Sequence, residues 1–166
     1  MDDSEDVLDS SYYIDKEGIL VAYDMDLSSD QIRIIYETVI MFEFGYYDEA
    51  IERLIPVAEN CSIDILPINQ LVIFYKALDR YDKVIEWCKK AEDDEIFAEY
   101  YAWPKIMLGE CYEKGLGVDV NLLEASHWYD KIQMVDDPDE EEIQERNEFF
   151  KRHPELLDAV DTQEEL

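Results

Sequence analysis

Two stretches of this chain, 34 residues apart, follow nearly the same pattern, and no other feature limits the fold as tightly. Residues 44–59 read FGYYDEAIERLIPVAE and residues 78–93 read LDRYDKVIEWCKKAED. Tyr47 matches Tyr81, Asp48 matches Asp82, Ile51 matches Ile85 and Glu52 matches Glu86, and Ala50 stands 34 residues before Val84. A third stretch, NLLEASHWYDKI, keeps the same beat with Ala125 in the place of Ala50. It follows Val84 by 41 residues and so carries about seven residues more. A period of this length marks a supersecondary unit that buries its apolar face only by stacking on its neighbours.

The spacing within each unit predicts two helices. In the first unit SSDQIRIIYETVIMFEF starts at a Ser28 or Ser29 cap, places Asp30 in the first turn and ends at Gly45. Ile32, Ile35, Val39 and Phe42 mark one apolar face, and Ile34, Ile40, Met41 and Phe44 another. YYDEAIERLIPVAEN returns, with Ala50 as the small contact residue and Pro56 expected to bend or shorten the helix. In the second unit Pro67 suits a first helical turn, INQLVIFYKAL follows, residues 79–82 turn, and KVIEWCKKA returns. In the third, YYAWPKIMLGECYEKG goes out and NLLEASHWYDKIQM comes back. Beyond it, Pro138 and its acidic neighbours open a helix, DEEEIQERNEFFKR, whose negative start suits the helix dipole. Its Ile143, Phe149 and Phe150 would close the last unit. The expected fold is all-α: an α-solenoid of about three helix-turn-helix repeats, a C-terminal capping helix and a short N-terminal arm. The boundaries are 1–27 for the acidic arm, 28–135 for the repeats and 136–166 for the acidic cap and tail. Around Lys16-Glu17-Gly18 the arm could be a hairpin, an extended segment or an added helix. Residues 1–10 are expected to lack fixed structure.

At GYYDEAIE and the 34-residue offset the chain resembles the tetratricopeptide repeat family. The third unit resembles its Sel-like variant, through Leu108, Gly109, Tyr112, Gly115, Gly117, Val118, Ala125, Trp128, Tyr129 and Lys131. Asn121 stands where that variant usually has an acidic residue, a departure that touches one turn contact. The resemblance covers residues 31–132 and implies a groove lined mainly by each unit's first helix. Carried onto this chain, the groove would include Ile35, Tyr36, Val39 and Glu43. The second unit would add Asn69, Gln70, Ile73 and Lys76, and the third Trp103, Ile106, Glu110 and Glu113.

Three of the five glycines, Gly109, Gly115 and Gly117, fall within nine residues. A phosphate-cradling loop would need a preceding strand and a basic residue, whereas this loop follows a helix and is flanked by Glu113 and Asp119. Gly109 is therefore expected at a close approach of two helices, and Gly45, Gly115 and Gly117 in turns.

The formal net charge is −29. That sign disfavours nucleic acid and anionic membranes as ligands and favours a basic partner. Residues 61–92 balance five acids with five bases, while residues 1–30 carry ten acids and one base and residues 136–166 carry thirteen and three. No apolar run approaches a membrane span, and the acidic start has neither a secretory nor a mitochondrial pattern, so a cytoplasmic setting is expected. Cys61, Cys88 and Cys111 have no disulfide or zinc spacing and read as core thiols. His127 beside Trp128 reads as a core or rim residue, and His153 before Pro154 as a helix stop. The run DDPDEEE lacks the pattern of a calcium loop. No catalytic residue, metal or cofactor is expected, and no enzyme. The function expected is binding, in which the chain neutralises one dedicated, basic protein as an immunity protein does. A chaperone for a secreted protein and a general adaptor are the alternatives. Oligomeric state is left open.

Overall fold

A computed structural model describes residues 7–9, 12–14, 20–22, 27–61 and 64–157. The fold is all-α in its repeats, as the periodicity requires: among the described residues, eight α-helices packed in consecutive pairs. Three short strands precede them, β1 (Val7–Asp9), β2 (Tyr12–Ile14) and β3 (Leu20–Ala22), in an antiparallel meander of order β1-β2-β3. Of the three forms open to the arm, the hairpin is nearest. The expectation that residues 1–10 lack fixed structure fails at Val7–Asp9, which pairs with β2; the rest of residues 1–10, and the tail from residue 158, lie outside the described residues. The chain divides into two compact units, Met1–Phe74 and Tyr75–Leu166.

In the first unit α1 (Ser29–Glu43) begins at Ser28 with a reciprocal capping box: Gln31 N–H donates to Ser28 Oγ (3.3 Å), and Ser28 N–H donates to Gln31 Oε1 (2.9 Å). It packs on α2 (Tyr47–Glu59), where Ala50 and Leu54 are fully buried. Phe42 stacks on Phe74 of α3 (Leu66–Ala77), ring centroids 4.1 Å apart. Pro56 does not end α2, which continues to Glu59. The carbonyl deprived of its donor by Pro56 belongs to Glu52, an exposed residue whose carbonyl water can satisfy.

In the second unit α4 (Tyr81–Glu92) packs on α6 (Trp103–Lys114), α6 on α7 (Leu122–Asp130), and α7 on the cap α8 (Glu140–Arg152). Asn121 is the N-cap of α7, its side chain accepting from Glu124 N–H at 3.0 Å, so the departure from the acidic residue keeps a good cap. Short 3-10 segments, Lys131–Met134 and Pro154–Leu156, follow α7 and α8. Around α7 and α8 a core forms from Ala125, Tyr129, Ile132, Phe149 and Phe150, with Tyr129 stacked on Phe149 at 4.5 Å. The extra length of the third repeat divides between the longer α6–α7 loop (115–121) and the link from α4 to α6, where a short helix absent from the sequence expectation forms, α5 (Glu95–Tyr100). Asp94 caps it by accepting from the N–H groups of Ile96 and Phe97.

The repeats share one reversal. Tyr46 N–H donates to the Met41 carbonyl (3.0 Å), Arg80 to Tyr75 (2.9 Å) and Leu116 to Cys111 (2.9 Å), each bond reaching back five residues. In each case the residue before the donor is left-handed: Gly45 (φ 89°), Asp79 (φ 54°) and Gly115 (φ 71°). This is the Schellman ending of a helix, made three times. Ala50, Val84 and Ala125, aligned in the sequence, are all fully buried. Gly117 is also left-handed, and a Cβ there would lie 2.6 Å from backbone atoms of Tyr81 and Asp82, so the α6–α7 loop rests directly on the start of α4.

Lys105 of α6 is buried and fully bonded. Its Nζ donates to Glu92 of α4 (2.9 Å) and to the carbonyls of Ala98 (2.7 Å) and Tyr101 (3.2 Å) at the end of α5. Burial raises the Glu92 carboxyl above its ordinary range, against the pull of the Lys105 hydrogen bond and charge.

Two substitutions test this packing. A Cβ on Gly109 would lie 2.7 Å from the Tyr129 ring, which is itself held by Phe149. Gly109→Val should therefore lower stability in urea by about 1–3 kcal/mol, and an unchanged midpoint would mean that the ring yields freely. Lys105→Met strands a buried carboxylate and two carbonyls, and should cost about 3–5 kcal/mol. The double variant Lys105→Met/Glu92→Leu should recover a large part of that loss; equal losses in the single and double variants would show that the ion pair is not the cause.

Candidate protein-binding surfaces

The twelve residues expected to line a groove divide between the two units. In the first, Ile35 is 3% exposed and belongs to the core, a correction to its place in the groove: α1 turns it inward. Tyr36 and Glu43 are exposed, Val39, Asn69 and Gln70 are half-buried, and Ile73 is 50% exposed. Among the described residues the most exposed of the large apolar side chains is one the groove expectation left out. Phe44, 77% exposed, follows Tyr36 and Ile40 at four-residue steps, so the three exposed residues form one row along α1. Ile40 and Phe44 belong to the second apolar face of the sequence pattern and Tyr36 to the expected groove, and nothing in the pattern says which of two apolar faces meets a neighbour.

In the second unit the structure brings Ile106, Glu110 and Glu113 together on one wall of a cleft of about 560 Å³. Leu122 and Tyr129 of α7 and Glu145 of α8 also line it, with Lys114, Arg152 and His153. Lys76 lies near it, its Nζ 3.8 Å from Glu110 Oε2, and Trp103 is half-buried in the first turn of α6. The cap supplies what sequence reasoning missed. Arg152 donates from Nε to Glu113 Oε1 and from Nη2 to Oε2, both at 3.0 Å, and His153 Nε2 lies 3.2 Å from Oε1. His153 does end α8, as expected, but its ring also packs on Phe149. Contacts spanning 39 and 40 residues leave no local signal; the only hint was a basic pair ending an otherwise acidic segment.

Burial alone would raise the Glu113 carboxyl; the hydrogen bonds from Arg152 and His153 outweigh it and hold the group below its ordinary value of 4.5. The buried thiols are shifted the other way. Burial, aided by Glu110, pushes Cys111 up to about 11, and Cys88 is raised further, also chiefly by burial. None of the three cysteines forms a disulfide. Among the described residues no group of three or more His, Cys, Asp or Glu is placed to hold a metal ion, and no helix is long and apolar enough to cross a membrane. His127 is half-buried, and its Nε2 has no hydrogen-bond partner among the described residues.

The chain matches no protein-family model, no curated protein and no solved structure.

The Glu113 clasp has a pH signature. A carboxyl held low in the fold contributes stability that is complete above its unfolded value near 4.5 and is lost as pH falls through the lower folded value. Melting temperatures measured from about pH 7 down to pH 3 should fall on the acid side, and Glu113→Gln should flatten that fall. An unaltered acid limb in Glu113→Gln would show that the clasp does not couple to folding.

Proposed function

We propose that this chain is a non-enzymatic binding protein of the tetratricopeptide and Sel-like kind, which holds and neutralises one dedicated basic protein in the cytoplasm. The observation that carries this reading is the row of Tyr36 and Ile40 on α1 with Phe44 at its C-cap, apolar side chains standing in solvent. Large apolar groups lined up in this way gain by being covered. A partner segment with its own apolar stripe would bury them, as a helix laid in a groove does.

The charge selects the partner. At −29 the chain repels other acidic proteins and attracts basic ones at a distance. Exposed acids stand on the same pair of helices, Glu43 on α1 and Asp48, Glu49 and Glu52 on α2. Apolar contact would set the lifetime of the complex, and the acids the speed of its formation.

The test is capture from the native host on immobilised chain, with the retained protein identified and its binding kinetics measured. A basic protein is expected. Its association should slow as salt rises, because screening shortens the field to about 10 Å at 0.1 M. Phe44→Asp should leave the melting temperature in place and weaken binding by about 2 kcal/mol or more. A retained partner that is acidic, or one indifferent to both salt and Phe44→Asp, would overturn the reading.

A further inference from the structure

The cleft of the second unit has its charges arranged in depth. Two of its three carboxylates lie deep, with side-chain exposures of 10% for Glu113 and 26% for Glu110, while Glu145 is exposed and the cations, Arg152 at 47% and Lys114 at 57%, stand at the rim. One guanidinium is already held there: Arg152 places two N–H groups on the two oxygens of Glu113, the fork geometry that arginine makes with a carboxylate. Glu113 is fully used by that clasp. The other two carboxylates of the cleft are not. Glu110 gives Oε1 to Lys114 at 2.7 Å, but its Oε2 has only Lys76 at 3.8 Å. Glu145 makes no hydrogen bond or ion pair among the described residues. About 560 Å³ of open volume adjoins these groups, within the range of clefts that take ligands.

The walls suit the remainder of a long cationic side chain. Ile106 lies one turn before Glu110 on α6, and Leu122 opens α7, so an aliphatic stem would meet apolar surface before its head reached the carboxylates. The Tyr129 phenol shows that the acids converge on one place. Burial raises it first, and then the charges of Glu113, Glu110 and Glu145 together.

We propose that this cleft receives an arginine side chain of the basic partner, its guanidinium between Glu110 and Glu145 and its stem against Ile106 and Leu122. The proposal rests on the reading of the chain as a binder of a basic protein, and it names the partner's chemistry at one place. Arginine fits better than lysine because a planar head with five donors can bridge two carboxylates, whereas an ammonium is a single point of charge.

The test uses the full chain, labelled for NMR, and three capped pentapeptides, Gly-X-Gly-X-Gly, with X as arginine, lysine or citrulline. Citrulline keeps the arginine shape without its charge. The arginine peptide should shift the amides of Glu110, Leu122 and Glu145 and bind more tightly than the lysine peptide, and the citrulline peptide should leave those amides unmoved. Glu145→Gln should weaken the arginine peptide about fivefold. Glu95→Gln, which removes the same charge from exposed α5 outside the cleft, should leave affinity unchanged. Equal effects of Glu145→Gln and Glu95→Gln would overturn the proposal in favour of attraction by net charge alone, and so would equal binding of the citrulline peptide or no binding by the arginine peptide. Failure here is separable from failure of the functional reading. If a basic host protein is retained and responds to Phe44→Asp but not to Glu145→Gln, only the cleft assignment falls.

Discussion

The two helices of each repeat are joined through a reversal completed in one residue. A residue whose φ is positive lets the following N–H turn to meet a carbonyl five residues back, which ends one helix and redirects the chain toward the next. The chain supplies that residue three times, as Gly45, Asp79 and Gly115, and closes the same hydrogen bond each time. Asp79 shows that the requirement is on the backbone and not on glycine as such, since aspartate tolerates the left-handed region better than most side chains. The small or compact residue that follows, Ala50, Val84 or Ala125, then lies fully buried. The repeat is thus the recurrence of one turn and one contact, with the other side chains free to differ.

Where the third repeat departs from its predecessors, packing compensates. Part of the added length forms α5, which is held by its fully buried Phe97 and by one lysine of α6. Lys105 draws together the end of α4, through Glu92, and the last carbonyls of α5, using all three of its ammonium protons. A buried ion pair is a poor source of stability compared with an apolar replacement of the same shape, but it is specific about geometry. Of the residues on α6, only a long cationic one could reach all three acceptors, so the register of α6 against α4 and α5 is set at that point.

The sequence showed as much as short-range rules can carry. The helix boundaries at Ser28, Pro67, Asn121 and Asp139 follow from caps and first-turn residues, and Gly109, Gly115 and Gly117 had identifiable roles because close approach and positive φ each demand a missing Cβ. What stayed hidden depended on three dimensions. Ile35 and Phe44 lie on two apolar faces of one helix, and periodicity alone could not say which is covered. Arg152 meets Glu113 across 39 residues, a pairing no spacing rule foretells. Lys105, in a stretch otherwise read as apolar, carried no sign that its charge would be buried. Pro56 misled in the opposite sense, because a proline near a helix end removes a bond that solvent can replace.

The two thiols of the second unit have a practical meaning. Cys88 on α4 and Cys111 on α6 lie on helices that pack together, both fully buried and both far from ionising at neutral pH. Only a thiolate attacks an alkylating or disulfide reagent, so neither sulfur can react while the helices are closed. Each is therefore a clock for the interface: its modification rate counts how often α4 and α6 part, at two positions, with no label introduced into the chain.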